Sequence, residues 1–192
     1  MVVAAAMEPD AELMLRVKAG DSASFARLLD RHRVPVIHFL YRMVHNQAVA
    51  EELAQEVFLR VYRAGASYEP NAKFTTWLFR IATNLALNSL RNAKNEKAQE
   101  SLDEKIDDAP VRQVADGSPT VEQHLLDRAR RDEVRRAIAE LPPKQRAAVL
   151  MHKYEEMEYS QIAGALGCSE SALKSLLFRA YETLRSRLAH MA

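Results

Sequence analysis

Between Val49 and Val61 apolar residues return at every fourth position, Val49, Leu53, Val57 and Val61, with Ala54 and Phe58 beside them. That repeat predicts one apolar stripe on an α-helix. Glu51, Glu52, Gln55, Glu56 and Arg60 fill the opposite face. The same helical period runs through the flanking sequence. Leu13, Met14 and Val17 predict a short first helix ending at Gly20, and Asp21 is suited to cap the next one because its carboxylate can accept from free backbone N–H groups. Phe25, Leu28 and Leu29 begin that helix's apolar face, and the pattern resumes at Ile37, Leu40 and Met43. Pro35 interrupts it, which predicts a kink or boundary near Val34. The segment GASYEPNAK, with Gly65, Pro70 and Asn71, reads as a loop before a long helix through FTTWLFRIATNLALNSLRN.

Over residues 96–121 the period disappears. Apolar residues are sparse, acids outnumber bases, and Pro110, Gly117 and Pro119 punctuate the end, so the stretch reads as a flexible acidic linker. The helical pattern returns with Leu125, Val134, Ile138 and Leu141. Pro142-Pro143 marks a stop and a restart, since proline is favoured at an early helical position. KQRAAVLMHKYEE follows as a helix, and QIAGALGCSESALKSLLFRA as two more joined by Gly167-Cys168-Ser169. The expected fold is all-α, with helical domains at 11–95 and 122–192 joined by the linker.

The chain has 192 residues, 48% of them hydrophobic and 28% charged, enough to build real cores. The single Cys168 excludes an intramolecular disulfide and a multi-cysteine zinc site, and it suits a reducing compartment. No apolar run reaches the length of a membrane span, and MVVAAAM lacks the basic start of a signal peptide. Met7 is a second candidate start. A cytoplasmic protein without membrane insertion is expected.

The net charge of +1 hides a strong asymmetry. Residues 1–94 carry +3, 95–121 carry −4 and 122–192 carry +2. From Pro70 to Asn95 there is no acid, only Lys73, Arg80, Arg91 and Lys94; from Ser171 onward Lys174, Arg179, Arg185 and Arg187 face only Glu182. Each helical block therefore ends in a basic helix, which suits a polyanion as well as a solvated face.

The last two helices have the grammar of a helix-turn-helix. Ile162 and Leu166 face inward, Ala163 is small where the helices cross, Gly167 stands where the backbone needs a positive φ, and Cys168 serves as a small hydrophobe. Ser169 can cap the second helix, with Glu170 in its first turn. Leu173, Leu177, Leu184 and Leu188 form its apolar stripe, while Lys174, Ser175, Phe178 and Arg179 cluster on another face. Arg and Lys there can reach phosphates or guanine, and an exposed Phe can touch a thymine methyl. A plain helical hairpin with Phe178 packed inside is the competing reading.

In FTTWLFRIATN, Phe74, Trp77 and Phe79 lie among bases without acids, where aromatic rings can stack on unpaired nucleotides. Asn84 and Asn88 share a helical face with reach to base edges or phosphates. The alternative makes Trp77, Ile81 and Leu85 core residues. Nothing points to catalysis or to a cofactor. There is no HExxH or Walker loop, and His32, His38 and His45 contain no i, i+4 pair, so they are expected at surfaces or boundaries rather than on a metal.

Taken together, AEELAQEVFLRVY, FTTWLFRIATNLALNSLRN and LPPKQRAAVLMHKYEEMEYSQIAGALGCSESALKSLLFRA, in this order and around an acidic linker, resemble the extracytoplasmic-function sigma factors of the sigma-70 family over residues 11–188. The resemblance implies a region 2 at 11–95 and a region 4 at 122–192. It implies that Glu52, Gln55 and Glu56 dock on the β′ clamp helices of core RNA polymerase, with Leu53 and Phe58 left as core, and that the β flap is a further contact. Loop 66–73 would cradle an everted non-template base. Lys73, Trp77, Arg80, Asn84 and Asn88 would serve the melted minus-ten element, and Lys174, Ser175, Phe178 and Arg179 the minus-thirty-five duplex. The linker would thread towards the RNA exit path. An anti-sigma factor is an implied partner. Leu176 departs from the family pattern, which often has a base there, and Gln161 stands where an acid is common. The implied function is an alternative sigma factor, not an enzyme, that directs core polymerase to promoters and helps open DNA. The rivals are a stand-alone helix-turn-helix regulator, which leaves 50–63 and 70–95 without a role, and a helical interaction protein with no nucleic-acid role.

Overall fold

The computed structural model describes residues 9–99 and 121–191. Among these residues it contains α-helices and short 3-10 turns, and no strand. The first block consists of α1 (Pro9–Lys18), α2 (Ser22–Val44), α3 (Gln47–Ala64) and α4 (Phe74–Gln99). The second consists of α5 (Val121–Ala139), α6 (Pro143–Lys153), α7 (Tyr159–Leu166) and α8 (Glu170–Arg187). Helix α4 runs on to Gln99, into the start of the stretch read as linker; the rest of that linker, 100–120, lies outside the described residues, as do 1–8 and 192. No helix among the described residues is long and apolar enough to cross a membrane.

Local chemistry sets the helix ends. Gly20 ends the first segment at φ 97°, a conformation that costs an L side chain energy. Asp21 then caps α2, accepting from the amides of Ala23 and Ser24, and these bonds hold its carboxyl below the usual carboxylate range, the Ser24 side chain contributing most. Asn46 caps α3 through the Val49 amide at 3.0 Å. Pro143 occupies the start of α6, and Ser169 caps α8 through the Ala172 amide at 3.2 Å.

The boundary expected near Val34 is absent, because α2 continues through Pro35. Proline removes one backbone bond to the preceding turn, a loss of about 3 kcal/mol in an isolated helix. Tertiary packing outweighs it here, since Leu28, Val36, Phe39, Leu40 and Met43 are fully buried.

The core of the first block forms where α2 packs on α3 and both pack on α4. Its fully buried residues include Phe39, Met43, Val57, Val61, Phe74 and Leu78. The buried line of α3 is Ala50, Ala54, Val57, Phe58 and Val61; Val49 and Leu53, expected in it, are only half-buried. Helix α1 is tied down by Asp10, whose carboxylate accepts from Arg31 and lies 2.8 Å from His32 Nε2. His32 is thus a buried core histidine rather than a boundary one, its ring centroid 5.3 Å from that of Phe74 and tilted to it; His38 and His45 are exposed. Among the described residues no cluster of His, Cys, Asp or Glu could hold a metal ion.

In the second block α6 packs on α8, and α7 packs on both. Leu150, Met151, Ile162, Leu173 and Leu177 fill its centre. The end of α8 returns to α5 through the ion pair of Arg187 with Glu140, just past α5, and through the contact of His190, just past α8, with the Glu133 carboxylate. The two blocks touch: α7 lies on α4, and α6 reaches α2 and α4.

Candidate nucleic-acid interface

Helix α4 begins immediately after Lys73, whose carbonyl accepts from the Trp77 amide. From there Trp77, Arg80, Asn84, Asn88 and Arg91 follow at steps of three and four, so they form one stripe along α4. Lys73, Arg80, Asn84, Asn88 and Arg91 are exposed, and Trp77 is half-buried. Arg91 donates to the Asn88 side-chain oxygen at 3.3 Å. Arg91 was not singled out from sequence, although its spacing from Asn88 continues the stripe. With no acid among them, these residues present cations and amides to solvent, the combination that holds phosphates and base edges.

The aromatic residues divide differently from the sequence expectation. Phe74 and Phe79 are buried and unavailable for stacking on bases. Trp77 sits in a ring cluster, 5.3 Å from Tyr68 and 5.9 Å from Phe74. It therefore has a structural role, with one side left accessible at the head of the polar stripe. Buried Tyr68 anchors the loop that precedes α4, and its carbonyl accepts from Lys18 Nζ at 3.0 Å.

A second polar surface lies on α8. The preceding turn passes through Gly167 at φ 64°, and its amide closes the end of α7. Cys168 is half-buried against the core. Leu173 and Leu177 point inward; Leu184 is half-buried, and Leu188 ends the helix. Lys174, Ser175, Phe178 and Arg179 are all exposed. Phe178 is 67% exposed, so the packed-inside alternative fails. The reason is geometric: Leu177 occupies the inward position, and a residue next to it in a helix points elsewhere. Leu176 packs at the edge of the core, in line with an extended apolar stripe. The helix is pinned from behind by His152, whose Nδ1 lies 2.8 Å from Tyr181 Oη. Burial, and then nearby Lys153, push the His152 imidazole below its ordinary range. Burial, and then Tyr159, push the Tyr181 phenol up.

A third surface belongs to α3. Glu52 and Gln55 are exposed and Glu56 is half-buried, its carboxylate accepting from Arg60 at 2.6 Å. The sequence reading missed the apolar part of this face. Leu59 and Tyr62 are 42% and 55% exposed. Together with Phe25, Leu29 and Ile37 of α2 they line a groove of about 600 Å³. The signal was present: Gln55, Leu59 and Tyr62 fall at i, i+4 and i+7, off the buried Ala50–Val57 line.

Residues 28–96 match the family model for sigma-70 region 2, and residues 131–184 match that for sigma-70 region 4. The chain is 35% identical over 178 residues to the RNA polymerase sigma factor CarQ of Myxococcus xanthus, covering 93% of this chain and 97% of that one. It is 30% identical over 175 residues to the sigma factor SigW of Bacillus subtilis, covering 90% and 93%. Among solved structures it is similar in fold to CnrH in complex with the cytosolic domain of CnrY, with a TM-score of 0.70 at 20% identity, covering 96% of this chain and 100% of that one. It is similar also to the sigma factor RpoE bound to the anti-sigma factor NepR from Bartonella quintana, with a TM-score of 0.68 at 20% identity, covering 86% and 96%.

Proposed function

The chain belongs to the sigma-70 family, as an extracytoplasmic-function sigma factor, and from that premise we infer how its three surfaces divide the work. It is an alternative sigma factor that directs core RNA polymerase to promoters. Its family consists of transcription initiation factors rather than enzymes. The observation that carries the residue-level reading is the separation of surfaces: two exposed basic stripes, on α4 and α8, and one acidic and apolar face, on α3.

Lys174, Ser175, Phe178 and Arg179 enter the major groove of the upstream duplex, where Arg and Lys read guanine or hold phosphates and Phe178 packs on a thymine methyl. Lys73, Arg80, Asn84 and Asn88 hold the separated non-template strand, with Trp77 closing the end of the stack. Glu52, Gln55 and Glu56 dock on the β′ clamp helices, and the adjoining Leu59 and Tyr62 supply apolar contact that carboxylates alone lack. The second block meets the β flap. An anti-sigma protein is the further partner, for which the groove between α2 and α3 offers a seat. The site of action is the cytoplasm, where the polymerase works. Strand opening needs no chemistry from this chain, because binding energy gathered over several modest contacts stabilises the open form.

Run-off transcription with purified core polymerase tests this, on DNA taken from upstream of the chain's own gene and from a library of promoters. Transcripts that appear only with the protein, from defined start sites, support it. No transcript, together with no co-purification with core polymerase, would leave the stand-alone helix-turn-helix regulator as the better account.

A further inference from the structure

Helix α1 reaches the segment between α3 and α4 at its start, its middle and its end. At the start, buried Gly65 opens the 3-10 turn Gly65–Ser67. A Cβ on Gly65 would lie 3.2 Å from Val17 Cγ1 and 3.5 Å from Met14 Cε, so α1 rests directly on the backbone of that turn. In the middle, Lys18 Nζ donates to the Tyr68 carbonyl at 3.0 Å. At the end, the Asp10 carboxylate lies 2.8 Å from His32 Nε2, and the His32 ring lies beside Phe74, the first residue of α4. Helix α1 is itself fixed to the core, with Met14 fully buried and Asp10 accepting from Arg31.

The segment has little order of its own. Apart from Gly65 and Tyr68, residues 65–73 are exposed. The Tyr68 amide donates to the Gly65 carbonyl at 3.2 Å and the Asn71 amide to the Glu69 carbonyl at 2.8 Å. A loop held by so few local bonds samples many conformations unless its neighbours restrain it. On one side the restraint is Trp77, packed on the Tyr68 ring. On the other it is α1, and the Lys18 bond is of the stronger, charge-assisted kind. Helix α1 also lies outside the stretch, 28–96, that matches region 2.

We propose that α1 braces loop 66–73 and that Lys18 is a positioning residue for base selection within the minus-ten element. This rests on the sigma-factor reading, in which that loop cradles an everted non-template base. A cradle discriminates between bases only while its walls hold still, since a loop that can adjust accommodates the wrong base at little cost. The Lys18 ammonium acts on the loop's backbone, so it sets the shape of the cradle rather than a contact to the base.

Two variants of the full chain test this from opposite sides of the contact. Lys18→Met keeps the alkyl stem and removes the donor; because Lys18 is exposed, the melting temperature should stay near wild type. Gly65→Ala sits at φ −52°, where alanine is unstrained, and its Cβ pushes the turn off Val17. Gly65 is buried, so this variant alters no direct contact to DNA. In the free protein, NMR order parameters of the 66–73 amides should fall in Lys18→Met from about 0.85 to below about 0.6, while those of α2 and α3 hold. Transcription with core polymerase is then measured on promoters carrying each base at each minus-ten position. The wild-type preference at the everted position should shrink at least threefold in both variants, with minus-thirty-five preferences unchanged, and Lys18→Arg should restore it. Unchanged order parameters in Lys18→Met would overturn the brace. An unchanged base preference, or a loss equal for all bases as a phosphate contact would give, would overturn the role in base selection. The NMR readout uses no polymerase, so the brace is judged apart from the sigma-factor reading, which fails, and base selection with it, if the unaltered chain supports no transcription.

Discussion

The guanidinium of Arg146 donates to the main-chain carbonyl of Met43, 103 residues earlier in the chain. Burial lowers the tendency of this side chain to carry its charge, and the carbonyls of Ala139, Leu141 and Met43 compensate for the lost water. Arg146→Ala should destabilise the chain by about 2–4 kcal/mol, because it strands buried acceptors that no neighbour can satisfy. Arg146→Lys should recover part of this, since an ammonium cannot present the same planar fork. Urea denaturation of the full-length variants measures both.

Arg179→Glu should reduce promoter-specific transcription at least tenfold, about the effect of losing one base or phosphate contact of 1–3 kcal/mol. Arg179 is exposed, and its Nε is bonded only to its own helix, at the Ser175 carbonyl. Core-polymerase affinity and melting temperature should therefore stay near wild type. Unchanged promoter selectivity would remove Arg179 from the upstream contact.

On α3, Gln55→Ala combined with Glu56→Ala should weaken binding to core polymerase about tenfold. Among the described residues the side-chain contact at stake is the Glu56–Arg60 pair at the surface of α3, worth about 0.3–0.5 kcal/mol. The domain should thus remain folded while affinity falls. Wild-type affinity in a pull-down titration would move the polymerase contact elsewhere.

Glu155 provides a test by pH. Burial pushes its carboxyl up to about 7, against the pull of Arg42 from the opposite block. The folded chain thus favours the protonated form. Its contribution is fully present below the ordinary carboxylate range and is lost as pH rises through about 7. The melting temperature should fall between pH 6 and pH 8, and Glu155→Gln should flatten that part of the profile. An identical slope in the variant would assign the pH dependence to other groups.

Much of this molecule was legible before any coordinates. The caps Asp21 and Ser169 and the left-handed Gly167 follow from rules that act over a few residues. So do the exposed positions of Arg80, Asn84, Asn88 and Arg179, because polar residues at helical spacing can only share a face. The boundary offered at Pro35 as an alternative to a kink did not form, because its local cost is set against core contacts that arrive from distant parts of the chain. Phe74 and Phe79 were offered to DNA because composition does not distinguish an aromatic ring that packs inward from one that points out. The groove beneath Leu59 and Tyr62 needs two helices to exist, and one helix's pattern describes only its half.

The sequence by itself determined the helices, their order, the basic character of α4 and α8 and the family, since each depends on near neighbours or on motifs in register. Only the tertiary structure decided that α7 lies on α4, that Arg146 joins the ends of α5 and α2, and that His32 is buried against Asp10. Those contacts join residues far apart in the chain, and their geometry depends on how whole helices pack, which no local periodicity encodes.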